Sequence, residues 1–327
     1  MGSKKVAIVF GVTGQDGAYL TRLLVRKGYH VHGTTRGAGP FERLDALGVT
    51  DKLTLHRLDV SDAKAVMNLI TTVCPAEIYN LAAQSSVSRS FEEPLATIDT
   101  DVHGTINILS AIRAGAPEAR LFNAASGECF GDTGEGSADE TTPMVPLTPY
   151  GIGKTAAYWL TASARTSHGL KVCSGFLFNH ESPLRPPNFV TQKVVRRAVD
   201  IAEGKEDSLT LGNIDVVRDW GWAPEYVEGM WASLQVESPQ DLVFATGQAC
   251  TLRAFIEKVF SALGLDWSQY VVSQPALFRP SEARVNRGDP TKAAKILNWR
   301  AATHYDHVAR KLIEAEVQRR QKLTALN

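Results

Sequence analysis

The first half of the chain alternates short segments of strand length with longer segments in which apolar residues recur at helical spacing. The clearest strand is the continuous apolar run at residues 6–10, and the other strand candidates are residues 31–35, 53–58, 77–81, 120–123 and 171–178. Between them, helical spacing is clearest near 62–73, 96–114 and 149–168. Strands that alternate with helices predict a parallel sheet covered on both faces, and right-handed crossovers make it a doubly wound α/β sheet.

The pattern changes after residue 180. Pro183, Pro186 and Pro187 crowd a segment that is incompatible with a regular helix or a central strand. Shorter mixed elements follow, and a final helix is predicted from about 306 to 322. We therefore predict two parts. A first domain covers 1–178 together with about 214–247, and a smaller C-terminal substrate-binding lobe covers 179–213 and about 248–327.

The 327 residues include 35 basic and 35 acidic side chains, so the formal net charge is zero. This balance argues against a broad basic surface for nucleic acid or an anionic membrane. No apolar run approaches the ~20 residues that span a bilayer. The apolar stretch after MGSKK is too short for a signal peptide, and Gly2 and Ser3 are set aside as typical of an expression tag. We expect a cytoplasmic globular protein.

The four cysteines, Cys74, Cys129, Cys173 and Cys250, lie singly in the sequence, without a CxxC pair. We therefore expect reduced structural thiols, and neither a zinc site nor a disulfide framework. No bound metal is predicted.

The turn after the first strand reads GVTGQDG and places Gly11, Gly14 and Gly17 between a strand and a helix. Glycines there permit a tight turn and close backbone approach to a pyrophosphate, which then lies at the helix N-terminus. Glycine turns are common, but this one lies in the first strand–helix–strand unit, as in a Rossmann dinucleotide-binding domain. Its GxxGxxG spacing resembles the short-chain dehydrogenase/reductase superfamily.

The end of the second strand bears on which dinucleotide binds. An acid there would accept a hydrogen bond from a ribose 2′-hydroxyl, whereas residues 33–37 read GTTRG. Arg36 is suited to pair with a 2′-phosphate, which favours NADP over NAD; the alternative is a solvated surface arginine. Asp59, at the end of the third strand, is suited to meet the adenine or to cap the following helix.

Tyr150 and Lys154 form a YxxxK motif, and residues four apart share one face of a helix. The ammonium lowers the pKa of the phenol, which predicts proton transfer by Tyr150 near neutral pH. The motif follows the fifth strand, and Ser126 stands just past that strand, which matches the superfamily's Ser, Tyr and Lys. Ser126 would hydrogen-bond the reacting oxygen, Tyr150 would act as acid and base, and Lys154 would bind the nicotinamide ribose.

Glu128 adds a carboxylate two residues after Ser126. A simple alcohol dehydrogenase has no need of it. A second proton transfer, from a carbon made acidic by a neighbouring ketone, requires such a base. The alternative is a surface glutamate in a loop that also holds Glu135 and Glu140.

Several segments in order resemble the GDP-mannose 4,6-dehydratases, a branch of the extended short-chain dehydrogenase/reductases. They are GVTGQDGAYL from residue 11, YNLAAQSSVSRSF from 79, LTPYGIGK from 147, FNHESPLRPPNFVTQK from 178, LGNIDVVRDWGWAPEYVEGMW from 211 and RPSEARVNRGDPTKA from 279. FNHESP and RDWG are typical of this branch and its close relatives, whereas the glycine turn and YxxxK are shared by the whole superfamily.

The resemblance implies an NADP-dependent lyase that converts GDP-mannose to GDP-4-keto-6-deoxymannose. Tyr150 would remove the 4-hydroxyl proton as NADP⁺ takes the C4 hydride. Glu128 would then abstract the acidified C5 proton, water would leave C6, and the hydride would return to C6. The nucleotide is thereby recycled within the enzyme rather than consumed.

The resemblance also implies binding residues, position by position. Cofactor contacts would come from Gly11, Thr13, Gly14, Gln15, Asp16, Gly17, Arg36, Asp59, Val60, Leu81, Ala82, Ala83, Tyr150, Lys154, Asn179, His180 and Arg185. Substrate contacts would come from Ser85, Ser126, Glu128, Tyr150, Asn179, Val190, Lys193, Leu211, Gly212, Asn213, Arg218, Arg279 and Glu282. Lys193 would lie near guanine, Arg218 and Arg279 would pair with the diphosphate, and Glu282 would bind the ribose. The alternative for each charged residue is a surface position, and for Gly212-Asn213 a simple turn.

Three positions depart from the family pattern. Ser126 replaces the usual Thr, Phe130 replaces the usual Tyr, and the loop 36–39 is shorter and lacks an arginine pair. The serine keeps the hydroxyl but changes the fit around C4, which leaves open a different GDP-sugar, such as a GDP-manno-heptose. In the family the altered loop also reaches a neighbouring subunit, so NAD in place of NADP, and a dimer in place of a tetramer, stay open.

Other functions remain as alternatives. A GDP-4-keto-6-deoxysugar reductase shares the fold and triad but would consume NADPH stoichiometrically, and NHESP and RDWGWAPEYV favour the dehydratase. An epimerase has no use for Glu128 as a C5 base, and a non-catalytic nucleotide sensor has no use for an intact triad. A homodimer or homotetramer is expected, with the helices near 96–114 and 149–168 as the candidate contact.

Overall fold

The computed structural model describes residues 4–326; residues 1–3, which include Gly2 and Ser3 set aside above, and residue 327 lie outside this range. Its main layer is a parallel sheet. The strands are β1 (Val6–Phe10), β2 (His30–Thr35), β3 (Leu53–Arg57), β4 (Glu77–Asn80), β5 (Arg120–Ser126), β6 (Val172–Leu177) and β10 (Leu242–Phe244). Their spatial order is β10-β6-β5-β4-β1-β2-β3. The order reverses between β1 and β4, where doubly wound sheets bind their ligands.

Helices cover both faces of this sheet. They are α1 (Gln15–Arg26), α2 (Glu42–Ala46), α3 (Ala63–Val73), α4 (Val87–Glu92), α5 (Pro94–Ile98), α6 (Gly104–Gly115), α7 (Pro149–His168), α9 (Ala223–Ser233) and α11 (Thr291–Leu297). Along β1, Ala7 and Val9 enter the core that α1 and α9 cover, while Ile8 and Phe10 enter the core that α3 and α6 cover. A strand buried on both faces explains the continuous apolar run in the sequence.

A second layer has its own core. It holds the strands β7 (Asn179–Glu181), β8 (Leu209–Leu211), β9 (Val217–Trp222), β11 (Ala249–Thr251), β12 (Val271–Ser273) and β13 (Val285–Asn286), with the helices α8 (Val190–Ala202), α10 (Leu252–Ala262) and α12 (Tyr305–Leu326). Strand β9 pairs with β7, β11 and β13, while β12 pairs with β8. Trp220 of β9 is buried against Phe255 of α10, at the centre of this core.

The predicted fold class, a doubly wound parallel sheet with a smaller lobe, is confirmed. The division of the chain into domains stays a prediction. In the structure the segment 214–247 contributes to both layers, since β9 belongs to the smaller sheet while α9 packs on α1 and β10 joins the main sheet.

Two elements differ from their predicted form. The single helix predicted near 96–114 is α5, a π-helical turn over Asp99–His103, and α6. Strand β5 runs on to Ser126, so this serine is the last residue of the strand rather than the first beyond it. Within the described residues, no helix combines the length and apolar character needed to cross a membrane.

Candidate functional site

The glycine turn is shaped by close backbone contacts. Gly11 has φ +79°, and a Cβ there would lie 2.9 Å from the backbone of Ala82. A Cβ at Gly17 would lie 2.4 Å from the carbonyl oxygen of Gly11. Gly14 caps α1 without a side-chain hydrogen bond, so the first amides of the helix are left for a ligand. The turn therefore has the close backbone and the open helix N-terminus that a diphosphate requires.

A cavity of about 320 Å³ lies over this turn. Predicted cofactor residues that line it are Gly11, Thr13, Gly14, Gln15, Asp16, Gly17, Arg36, Asp59, Val60, Leu81, Ala82, Ala83 and Arg185. Tyr150, Lys154, Asn179 and His180 line the adjoining cavity instead. Because the floor is glycine backbone that any side chain would obstruct, the residues present fit a dinucleotide.

Arg36 and Asp59 face each other at the mouth of this cavity. Arg36 Nη1 lies 3.8 Å from Asp59 Oδ2, and the arginine side chain is 68% exposed. Burial works against the charge of Asp59, but hydrogen bonds from Ser61 and the nearby Arg36 hold the pKa of this carboxyl below its ordinary value. The guanidinium therefore remains accessible to a further anion.

Arg43 is a third arginine on the same cavity, beside Arg36 and Arg185, and sequence reasoning missed it. Its Nε donates to the carbonyl of Leu184 at 2.8 Å, and its Nη1 donates to the carbonyl of Thr13 at 3.1 Å. These bonds join the glycine turn to the proline-rich segment. The sequence carries no motif that marks Arg43, because its position depends on the path of the loop before α2.

A partly buried ion pair lies where the two cavities meet. His180 Nε2 lies 2.9 Å from Asp16 Oδ2, and His180 Nδ1 donates to the carbonyl of Phe178 at 2.7 Å. Burial alone would lower the pKa of His180, but the carboxylate of Asp16 raises it above its ordinary value. Burial likewise opposes the charge of Asp16, yet His180 and Arg185 lower the pKa of that carboxyl. This pair fixes the FNHESP segment against the first turn of α1.

The catalytic candidates meet where β5 ends and α7 begins. Thr148 caps α7, its hydroxyl accepting from the amide of Gly151 at 3.0 Å, which sets Tyr150 in the first turn. A Cβ at Gly151 would lie 2.8 Å from the carbonyl oxygen of Glu128, so this glycine allows the catalytic turn, residues 127–130, to approach the helix. The amide of Glu128 donates to Ser126 Oγ at 3.2 Å.

The predicted lowering of the pKa of Tyr150 is wrong for the chain by itself. Burial raises that pKa; Lys154 lowers it, but Asp101 raises it further, and the net pKa lies above its ordinary value. Lys154 Nζ donates to the carbonyl of Ala124 at 3.0 Å. Sequence reasoning counted the ammonium and missed both the burial and Asp101.

A second cavity, of about 400 Å³, opens beside the catalytic turn. All the predicted substrate residues line it: Ser85, Ser126, Glu128, Tyr150, Asn179, Val190, Lys193, Leu211, Gly212, Asn213, Arg218, Arg279 and Glu282. It shares Asp16, Leu81, Ala83, Ser85 and Arg185 with the first cavity, so the two are continuous. Further lining residues, unmarked by any motif, include Ser86, Phe189, Trp220, Leu252 and Leu277.

Two arginines and a lysine make part of this cavity basic. Arg218 Nη2 and Arg279 Nη1 lie 3.5 Å and 2.7 Å from Glu282 Oε1. Arg218 is only 5% exposed, and burial lowers its pKa. Lys193 donates to the carbonyl of Thr210 at 2.8 Å beside them. Two guanidinium groups that share one carboxylate leave a net positive charge for an anionic ligand.

Two sets of contacts surround the catalytic turn. Phe130 packs among Phe176 and Phe178 in an apolar cluster, where a tyrosine hydroxyl would lose contact with water. Asn286 Nδ2 donates to the carbonyls of Gly127 and Gly131, at 2.9 Å and 3.0 Å. The smaller lobe thus holds the first residue of the turn and the residue that follows it. In residues 4–326, no group of His, Cys, Asp and Glu is arranged to bind a metal ion.

Similarity to known proteins establishes the family of this chain. A model of the family described as GDP-mannose 4,6 dehydratase matches residues 8–312. The chain belongs to this family. GDP-mannose 4,6 dehydratase 1 of Arabidopsis thaliana is 39% identical, over 98% of this chain and 93% of that protein. The GDP-mannose 4,6 dehydratase of Homo sapiens is 37% identical, over 96% of this chain and 92% of that protein. The family resemblance read from the sequence is therefore confirmed.

Solved structures share the fold of this family member. A dTDP-glucose 4,6-dehydratase of Bacillus anthracis in complex with NAD matches with a TM-score of 0.83 at 17% identity, over 97% of this chain and 98% of that one. RMD from Pseudomonas aeruginosa, complexed with NADPH, matches with a TM-score of 0.78 at 21% identity, over 96% of this chain and all of that one.

Proposed function

We propose that the protein is a GDP-mannose 4,6-dehydratase, which converts GDP-mannose to GDP-4-keto-6-deoxymannose and water. One observation carries this proposal beyond family membership. Ser126, Glu128, Tyr150 and Lys154 border a single cavity that the paired Arg218 and Arg279 also line. A reacting sugar next to the four side chains and a diphosphate at the arginines is the arrangement that this reaction requires.

The roles follow from position. A bound nicotinamide dinucleotide would supply the hydride acceptor, and later the donor. Ser126 holds the sugar 4-oxygen, Tyr150 takes its proton, and Lys154 holds the positive charge beneath Tyr150. Glu128 is the base for the C5 proton, which the 4-ketone makes acidic before water leaves C6. This assignment is supported by the place of Glu128 in the lining of the cavity that Ser126 and Tyr150 also border.

The cofactor is a nicotinamide dinucleotide, and we assign it as NADP. Arg36 is exposed where β2 ends, in a segment without an acid, and Arg43 adds a further guanidinium to the same cavity. Arg36→Ala should raise the Kd for NADP⁺ about tenfold and leave that for NAD⁺ nearly unchanged, because only NADP carries a 2′-phosphate. Equal effects on both cofactors would contradict this assignment.

The first experiment is incubation of the purified protein with GDP-mannose and no added cofactor, followed by mass spectrometry of the sugar nucleotide. Loss of one water supports both the reaction and a retained cofactor. If nothing changes, NADP⁺, NAD⁺ and then a GDP-manno-heptose are supplied in turn. If the protein releases no water from any of these substrates, and instead consumes NADPH stoichiometrically with a 4-keto-6-deoxysugar, the proposed dehydratase activity is refuted and a reductase is indicated.

Glu128→Gln tests the elimination step. C4 oxidation should continue, so reduced cofactor should accumulate on the enzyme without a deoxy product. Glu135→Gln is the matched control, because Glu135 is exposed on the loop that follows. Unchanged turnover in Glu128→Gln would remove this residue from the mechanism.

We further propose a homodimer through α6 and α7, which pack on each other. Ile152 and Trp159 lie two turns apart on α7 and are 51% and 59% exposed, and Ile106 of α6 is also exposed. Apolar residues grouped in this way are typical of an interface. Trp159→Glu should produce monomers in sedimentation velocity, and an unchanged mass would refute this contact.

A cytoplasmic location stays a prediction.

A further inference from the structure

Two oppositely charged pairs lie where the dinucleotide cavity and the substrate cavity meet. His180 Nε2 lies 2.9 Å from Asp16 Oδ2, and Arg185 Nε lies 3.6 Å from Glu181 Oε2. Asp16 and Arg185 border both cavities, whereas His180 and Glu181 border the substrate cavity. A hydride that moves between a dinucleotide and a sugar must pass this boundary, so the charges there act on the transfer.

The hydrogen bonds of His180 indicate a charged imidazolium. Its Nδ1 lies 2.7 Å from the carbonyl oxygen of Phe178, and its Nε2 faces the carboxylate of Asp16. A neutral imidazole donates from one nitrogen only, whereas both nitrogens here face acceptors. The side chain is 8% exposed, so burial opposes the charge, but the carboxylate of Asp16 raises the pKa of His180 above its ordinary value. The ligand-free protein therefore holds a proton on this ring at pH 6.5.

The charge of His180 distinguishes the two redox forms of a nicotinamide dinucleotide. The oxidised nicotinamide ring is positively charged, and the reduced ring is neutral. Like charges repel most strongly where water is excluded. A charged His180 at the boundary of the two cavities therefore disfavours the oxidised form relative to the reduced form.

We propose that the His180 imidazolium favours the reduced cofactor, so that the enzyme retains the hydride while water leaves the 4-ketosugar. This inference rests on the proposed function, because a dehydratase must keep a hydride on the cofactor between two steps of one reaction. The coupling is reciprocal, so a reduced ring, which no longer repels the imidazolium, makes His180 hold its proton more tightly. His180 acts here through its charge and transfers no proton to the sugar.

The other titratable groups that face His180 contribute little to a titration between pH 6 and 9. Tyr226 stacks on the imidazole with 4.5 Å between the ring centroids, and burial raises the pKa of its hydroxyl well above the ordinary value. His180 and Arg185 hold the pKa of Asp16 below its ordinary value, and the guanidinium of Arg185 stays charged. Asp219, on the neighbouring strand β9, is the exception, because burial raises its pKa to about 6.

The test measures which redox form the protein prefers. Wild type and His180→Gln are equilibrated with a mixture of NADP⁺ and NADPH at several pH values from 6 to 9, and bound and free nucleotides are quantified after ultrafiltration. Both forms carry the same 2′-phosphate, so its titration cancels in the ratio of the two affinities. In the wild type, the preference for NADPH should fall about tenfold from pH 6 to 9, which corresponds to a shift of about one unit in the pKa of His180 between the two complexes. The glutamine variant should show the low preference at every pH.

A role of His180 in structure alone would weaken both forms equally and leave their ratio unchanged. Equal ratios in the wild type and His180→Gln at every pH would overturn the proposal. A pH step that persists in the variant would also overturn it and would assign the titration to Asp219. Asp16→Asn provides a second measurement if the glutamine variant folds poorly. Without the carboxylate the pKa of His180 should fall, so the step should move to lower pH, and an unmoved step would contradict the proposal.

His103→Gln is the matched control. His103 also lies 3.0 Å from a carboxylate, that of Asp99, but it is exposed and borders neither cavity. Its ratio should follow the wild type at every pH. None of these measurements needs a sugar substrate. If the wild type binds both cofactor forms but removes no water from a GDP-sugar, the proposed function fails while the ratio still tests His180. If NADP⁺ and NADPH do not bind, NAD⁺ and NADH replace them, since the nicotinamide rings are the same.

Discussion

Asn286 lies in the smaller lobe but supports the catalytic turn, so its substitution should affect both stability and activity. Its amide donates to the carbonyls of Gly127 and Gly131, and the residue is only 4% exposed. Gly127 also accepts from the amide of Phe130, so it keeps one partner when Asn286 is removed. Asn286→Ala should therefore weaken one end of the turn and leave the buried carbonyl of Gly131 short of a partner.

The magnitude follows from those two losses. One lost hydrogen bond contributes about 1 kcal/mol, and one buried carbonyl left without a partner costs about 1–3 kcal/mol, so the free energy of unfolding should fall by about 2–4 kcal/mol. Asn286→Asp keeps the size but removes the donor and sets a carboxylate against two carbonyls, so its effect should be at least as large.

Activity should fall as well, because the turn carries Glu128 and follows Ser126 directly. A displacement of about 1 Å in a catalytic group costs up to about a hundredfold in rate. We expect kcat to fall by about ten- to a hundredfold with little change in the KM for the sugar nucleotide, since Arg218 and Arg279 keep their places.

The assay combines thermal unfolding with steady-state kinetics. Asn107→Ala is the control, because Asn107 also donates to two carbonyls, those of Val60 and Ser61, but far from the catalytic turn. It should lower the unfolding midpoint with a smaller loss in kcat. A destabilised Asn286→Ala enzyme with wild-type kcat would refute the reasoning, since the turn would then hold its position without the smaller lobe.

Three further changes probe other contacts. Asp16→Asn should destabilise the ligand-free protein most between about pH 4 and 6.5, where both partners of the Asp16–His180 pair are charged. The pKa of His180 is raised in the folded protein, so its contribution to stability is lost as the pH rises through that pKa. The pKa of Asp16 is lowered, so its contribution is lost as the pH falls through that pKa. An unfolding midpoint deficit that is constant with pH would contradict this. Gly17→Ala should abolish dinucleotide binding in calorimetry, because its Cβ would lie 2.4 Å from a carbonyl oxygen of the glycine turn, whereas the open Gly136→Ala should bind normally. Phe130→Tyr should lower the free energy of unfolding by about 1–3 kcal/mol in denaturant titration, because its hydroxyl enters an apolar cluster; an equally stable variant would show that it finds a partner.

The sequence by itself determined the elements whose causes are local. Strand β1 is apolar at every position because both faces of the sheet are covered, and the helix at Pro149–His168 is marked by a threonine cap and a proline in its first turn. The glycine turn, YxxxK and the arginine-bearing segments were also recognisable, since each is a short run whose residue types the chemistry constrains. Because these segments were recognised, all the residues that the sequence assigned to substrate binding line one cavity.

Tertiary structure alone decided what depends on residues far apart in the chain. Asp101 faces Lys154 across 53 positions, Asn286 reaches the catalytic turn across about 155, and Arg43 joins the glycine turn to residue 184. The pKa of Tyr150 was wrongly expected to fall, because spacing along a helix reveals the ammonium but not the burial or the opposing carboxylate. Charge and solvation are properties of the packed site, and they act through space rather than along the sequence.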